Sequence, residues 1–207
     1  RALKDVLGEH VNQAGSIVMP NRLRFDFTHY EAVTTEELKK IEEIVNSKIL
    51  DAIDVVTIET SLQEAQDSGA IGLFEDKYKD RVRVLKIGDY SKELCGGTHV
   101  KNTSQIGMFK ILSEGGIAAG IRRIEAITGE ALYEYLLSKE SIISSACSIM
   151  KTNEDELLRK IEFIIKENKD LEKETQKLKD KIAETSLNDY LSQAKEVKDI
   201  KYIVLDA

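Results

Sequence analysis

The chain of 207 residues is 42% hydrophobic and 32% charged, with a net charge of −7, one Pro and no Trp. Those proportions exclude low-complexity disorder and collagen. The charge excludes a protein that holds nucleic acid by bulk positive charge alone.

Arg1-Ala2-Leu3-Lys4-Asp5-Val6-Leu7 has no apolar signal core and reads as the middle of a helix. It carries no initiator Met, so a piece of something longer is expected. Arg22-Leu23-Arg24-Phe25-Asp26-Phe27 alternates polar and apolar residues, as a half-buried strand does. Leu23, Phe25 and Phe27 are expected to face a core, with Arg22, Arg24 and Asp26 facing out. Thr34 and Glu37 have capping-box spacing, and Leu38, Ile41, Val45, Ile49 and Ala52 follow at helical intervals. Strands are expected at 55–58, 81–87, 108–112 and 121–127, with a helix from Glu130. Strands and helices do not alternate in clean βαβ units, so the fold class is α+β with a mainly antiparallel sheet and packed helices.

All 12 glycines fall at or before Gly129, and the chain beyond is free of Gly and Pro, as a long helical region requires. Leu157, Ile164, Leu171 and Leu178 hold one heptad position, and Asn168 and Thr175 interrupt the other. The pattern fits a coiled coil, one arm of a helical hairpin, or a solvated charged helix on its own domain. A break is expected near Ser186, then a shorter helix and a strand from Lys201 to Leu205 without a following partner. The expected division is 1–129, 130–198 and 199–207, the last being the start of a further domain.

No run approaches the ~18 apolar residues of a membrane span. Cys95 and Cys147 make no disulfide framework and fit a reducing, cytoplasmic setting.

Chemistry concentrates in Glu93-Leu94-Cys95-Gly96-Gly97-Thr98-His99-Val100. A Cys and a His four apart, with two glycines between, let a tight turn aim thiolate and imidazole at one point. Both are good Zn²⁺ ligands, though such a site wants four, or three plus water. A buried Cys beside a turn with a surface His, and a Cys/His nucleophilic pair, are the alternatives. His10 and His29 read as isolated, and Cys147 as helix packing. Lys77, Lys79, Arg81 and Arg83 could meet phosphate, but Asp76 and Asp80 dilute them, and a solvated face is expected first. Arg122 and Arg123 alternate across a strand, so at most one faces a site.

The motif Cys95-Gly96-Gly97-Thr98-His99 resembles the zinc motif of the editing domain of alanyl-tRNA synthetases. Segments 8–16, 22–27, 69–78 and 115–129 resemble that family in the same order, so the likeness covers positions 1 to about 130. The helical stretch and final strand resemble the linker and the start of the C-terminal domain. The resemblance implies hydrolysis of Ser-tRNA and Gly-tRNA esters charged wrongly for alanine. It implies zinc held by Cys95 and His99, with two further histidines of an H-x-x-x-H lying before Arg1, so the site is incomplete in this chain. It makes Gln13 a pocket residue with a catalytic role, and Gly96, Gly97 and Thr98 substrate-binding residues. It places ATP and Mg²⁺ in a separate catalytic domain outside this chain. The implied partner is alanine-specific tRNA, with no membrane and a possible homo-oligomer through the helical or C-terminal regions. An RNA- or partner-binding piece with an inactive site is the alternative.

Overall fold

The computed structural model describes residues 1–70, 81–192, 195–197 and 200–202. The chain divides into two compact units, Arg1–Ser138 and Lys139–Ala207.

The first unit opens with α1 (Ala2–Leu7), followed by β1 (Gln13–Met19) and β2 (Arg22–Thr28). Helix α2 (Thr35–Leu50) begins at the expected place, with Thr34 and Glu37 forming a capping box. Then come β3 (Val55–Ser61), α3 (Leu62–Asp67), β4 (Arg81–Ile87) and β5 (Ser91–Leu94). A one-turn 3₁₀ helix (Thr103–Ile106) precedes β6 (Phe109–Ala118) and β7 (Ile121–Thr128). Every strand pairing among the described residues is antiparallel. The sheets run β1-β2-β7-β6 and β3-β4-β5, which bears out the α+β reading.

The larger core lies between α1, α2 and the four-stranded sheet. Phe27, Ile41, Ile124, Ala126 and Val11 form its buried centre. Helix α2 also secures the outer strand of that sheet. The Asn46 side-chain amide donates to Phe109 O (2.9 Å) and accepts from Phe109 N (2.8 Å), and Glu42 accepts from Ile111 N (2.9 Å). A smaller core under the three-stranded sheet contains Ala65, Val82, Val84 and Leu94.

Asp26 departs from its expected exposure. It is buried, because β2 is an inner strand and Asp26 stands opposite Arg123 of β7. The guanidinium donates to both carboxylate oxygens, at 2.7 and 2.9 Å. Those hydrogen bonds, followed by the nearby arginine charges, hold the Asp26 carboxyl below its usual range despite its burial. Arg122 is likewise engaged, by Glu114 across the β6–β7 pair. The run Gly115 to Gly120 is therefore mostly strand, closed by a two-residue turn in which Gly120 adopts φ 69°.

Helix α4 (Gly129–Met150) starts one residue before the expected position. In the second unit, α5 (Leu157–Ser192) runs unbroken through Ser186, which corrects the expected interruption. Strands β8 (Lys195–Val197) and β9 (Ile200–Tyr202) then pair with each other, so the late strand has a partner on its N-terminal side. Leu171, Leu178 and Ile182 of the heptad seam are exposed, while Leu157, Ile161 and Ile164 are half-buried. No helix among the described residues is long and apolar enough to cross a membrane.

Candidate functional site

Strand β4 and strand β5 deliver the Cys/His segment. Leu94 points into the smaller core, and Cys95 extends the ladder by donating its N–H to Arg83 O (3.1 Å). The chain then turns through Gly96 and Gly97, both exposed. Arg83 secures this turn, its Nη1 donating to Gly96 O (3.0 Å) and Gly97 O (3.4 Å). Its guanidinium therefore holds the loop, where the sequence suggested a solvated or phosphate-facing arginine. Lys77 and Lys79 lie outside the described residues.

The turn brings His99 Nε2 to 3.1 Å from Cys95 Sγ. Cys95 is half-buried, whereas Thr98 and His99 are exposed. A Cβ on Gly97 would stand 3.5 Å from the imidazole nitrogen and 3.6 Å from the sulfur, so glycine keeps that side of the pair open. Bond lengths of ~2.3 Å for Zn–S and ~2.0 Å for Zn–N at a tetrahedral angle put the two donors about 3.5 Å apart. The pair thus fits as half of a zinc ligand set. No group of three or more His, Cys, Asp or Glu side chains suited to a metal occurs among the described residues.

Beyond His99 the chain is tied to the first unit's core. Thr103 is buried, its hydroxyl accepting from Ile53 N (2.8 Å) and donating to Lys48 O (2.7 Å). Asn102 donates to Ala52 O (2.7 Å) and Asp54 Oδ1 (2.9 Å), and its own Oδ1 accepts from Ser104 N (3.0 Å). These bonds fix the C-terminal end of the segment carrying His99, as the Cys95 and Arg83 bonds fix its start.

Gln13 opens β1 and is half-buried, its amide donating to Ser16 Oγ (3.0 Å). It lines a cavity of about 140 Å³ together with Asn12, Phe25 and Glu93. The cavity therefore joins the first strand of one sheet to the β5 strand that leads into Cys95. Sequence reasoning missed Glu93 and this junction.

It also missed the pairing of His10 with His29. Their Nε2 and Nδ1 atoms are 2.9 Å apart and the rings stack with centroids 5.2 Å apart. The two residues flank the β1–β2 hairpin, so the antiparallel register brings them together. Cys147 is buried on α4, as the packing reading expected.

The family described as "Threonyl and Alanyl tRNA synthetase second additional domain" matches residues 82–125, which include all of β4 after Arg81, β5 and the Cys/His turn. The chain is 54% identical to the alanine–tRNA ligase of Clostridioides difficile (strain 630) over 203 residues, 98% of its own length. It is 50% identical to that of Desulforamulus reducens over 97% of its length, and 52% identical to that of Fervidobacterium nodosum over 98%. The chain spans 23% of the length of each of these relatives. With about half of its residues identical along nearly its whole length, it belongs with the alanine–tRNA ligases, as a segment that includes the second-additional-domain match.

Proposed function

We propose that this segment hydrolyses the ester of tRNA charged with serine or glycine in place of alanine, within a ligase that joins alanine to its tRNA using ATP and Mg²⁺ elsewhere in its length. The observation that carries the reading is the Cys95–His99 contact of 3.1 Å, in a loop that directly follows β5, whose Glu93 lines a cavity together with Gln13. A second site is chemically useful because a pocket shaped for alanine cannot exclude glycine by size. Serine adds only one hydroxyl, and discrimination of that order is limited to roughly 10–200-fold.

Cys95 and His99 would supply two zinc ligands, with the remaining pair contributed from outside this chain. Bound Zn²⁺ supplies a Lewis-acidic centre that positions or polarises the ester oxygen. The Gln13 amide has two donor hydrogens and an acceptor oxygen, suiting it to orient a water or sense the serine hydroxyl. Gly96 and Gly97 leave the loop backbone open to the 3′ end of an RNA, and Thr98 offers an exposed hydroxyl beside them. The setting that fits this work is the cytoplasm, with alanine-specific tRNA as partner.

The test is deacylation of pre-formed Ser-tRNA by the full-length ligase. Cys95→Ala and Gln13→His are each expected to slow serine release at least tenfold while alanine charging stays near the parental rate. If both variants clear Ser-tRNA at the parental rate, the segment is an RNA-binding piece with an inactive site.

A further inference from the structure

We propose that Tyr90 is a positioning residue for the hydrolytic site: its hydroxyl, bonded to Asp5, sets the spacing between the α1 wall of the Gln13 cavity and the β5 strand that leads into Cys95. The proposal rests on the reading of this segment as an aminoacyl-ester hydrolase.

Two elements far apart in sequence line that cavity. Helix α1 and the residue before it contribute Leu3, Lys4 and Arg1, and β5 contributes Glu93. Tyr90 immediately precedes β5. Its hydroxyl donates to Asp5 Oδ2 at 3.1 Å, across 85 positions of sequence. The other carboxylate oxygen, Oδ1, lies 2.9 Å from Arg1 Nε, so the line Tyr90–Asp5–Arg1 ends on a residue of the cavity wall. Among the described residues, the Tyr90–Asp5 bond is the hydrogen bond that ties α1 to the β4–β5 hairpin.

Tyr90 is itself held in place. Gly88 turns the hairpin at φ 52°, and a Cβ there would stand 2.8 Å from Ile53 Cγ2, so the turn sits hard against the chain that follows α2. Tyr90 N donates to Ile87 O (3.0 Å) and closes the turn. Lys48, in the last turn of α2, places its ammonium 5.4 Å from the centre of the Tyr90 ring, a cation–π contact. The backbone oxygen of the same Lys48 accepts from the Thr103 hydroxyl (2.7 Å). The end of α2 therefore grips the stretch 90–103 at both ends, and that stretch carries Cys95 and His99. Removing the Tyr90 hydroxyl releases α1 from this clamp while the ring stays beside Lys48. A misplacement of about 1 Å, even when caused far from the chemistry, can cost ~10²-fold in rate.

The experiment measures deacylation of Ser-tRNA by the full-length ligase in parental, Tyr90→Phe, Asp5→Ala, Asp5→Asn and doubly substituted Tyr90→Phe/Asp5→Ala forms, with urea unfolding alongside. Tyr90→Phe and Asp5→Ala are each expected to lower kcat about tenfold with KM for Ser-tRNA unchanged, because the bond orients the site and does not hold the tRNA. Asp5→Asn keeps an acceptor oxygen for the phenol and should recover most of the rate. The double form should be no slower than Asp5→Ala alone, as expected for two partners in one bond. A parental kcat in Tyr90→Phe, whatever its urea midpoint, would make Tyr90 structural only. Losses that multiply in the double form would mean that the two residues act separately. Either result overturns the proposal and leaves the hydrolytic reading standing, whereas a parental enzyme inert on Ser-tRNA would overturn both.

Discussion

Thr103→Val tests whether a hydroxyl four residues beyond His99 anchors the segment that carries it. Valine keeps the size and β-branching of threonine, so the substitution removes two hydrogen bonds without opening a cavity. The bonds are 2.8 Å from Ile53 N and 2.7 Å to Lys48 O, around a side chain that is 4% exposed. At about 1 kcal/mol net for each neutral bond, the loss is about 2 kcal/mol. It rises towards ~3 kcal/mol if the Ile53 N–H stays unpaired. For a chain of 207 residues, 2 kcal/mol corresponds to a fall of about 4–8 °C in Tm. Thr103→Ser is the control, since it keeps the hydroxyl and deletes one methyl at a cost of about 1 kcal/mol. Urea unfolding of the three forms gives the comparison, with a lower midpoint and unchanged m-value expected for valine. If serine destabilises more than valine, methyl packing holds this segment and the hydrogen-bond argument fails.

Replacing Arg83 by Met removes the donor that secures Gly96 and Gly97. With zinc held by Cys95 and His99 as proposed, the affinity of the full-length ligase for it should fall about tenfold, at the low end for groups that orient metal ligands, with Arg83→Lys intermediate. Competition against a chromogenic chelator measures this, and unchanged affinity in the methionine variant would separate the loop anchor from the metal. Burial of Tyr90, then the hydrogen bond its hydroxyl donates to Asp5 (3.1 Å), push its pKa up to about 12. The neutral phenol is thus favoured in the folded state. Its contribution is complete below the ordinary value near 10 and is lost as pH rises towards 12. Tyr90→Phe should flatten the alkaline decline in stability across that window, as read by unfolding at stepped pH. Leu171 is 53% exposed on α5, so Leu171→Asp should leave folding intact. If the seam joins two chains, it should convert a dimer to a monomer in sedimentation, and equal masses would mean that the seam does not join chains.

Local signals were the legible ones. The Thr34/Glu37 capping box fixed the start of α2, and the run from Arg81 to Ile87 matched β4 residue for residue. The same rule applied to Ser61 and Glu64 would have found α3, whose capping box is equally complete. Strand β1 was harder, because Gly15 and Ser16 weaken the alternation and most of its residues are exposed. Ser186 lies in the interior of α5, where one serine is a weak helix former and not a breaker. The Cys95–His99 contact could be foreseen because four residues and two glycines determine it. The Arg83 anchor, the His10–His29 pair and the Gln13–Glu93 cavity could not. Each depends on strand register or on the meeting of two sheets, which spacing along the chain does not encode.

Strand β6 borders its sheet, and such a border offers unpaired amides to any other chain that drifts alongside. Here the side chains of Asn46 and Glu42 already occupy the backbone of Phe109 and Ile111. Further along, register shifts between Ile111 and Ser113 and between Gly116 and Ala118 break the straight run of donors and acceptors. The first half of the border is thus capped and the second half bent. The sheet is thereby kept from recruiting copies of itself into growing stacks, and the two polar residues of α2 act as guards against self-pairing as much as struts for the fold.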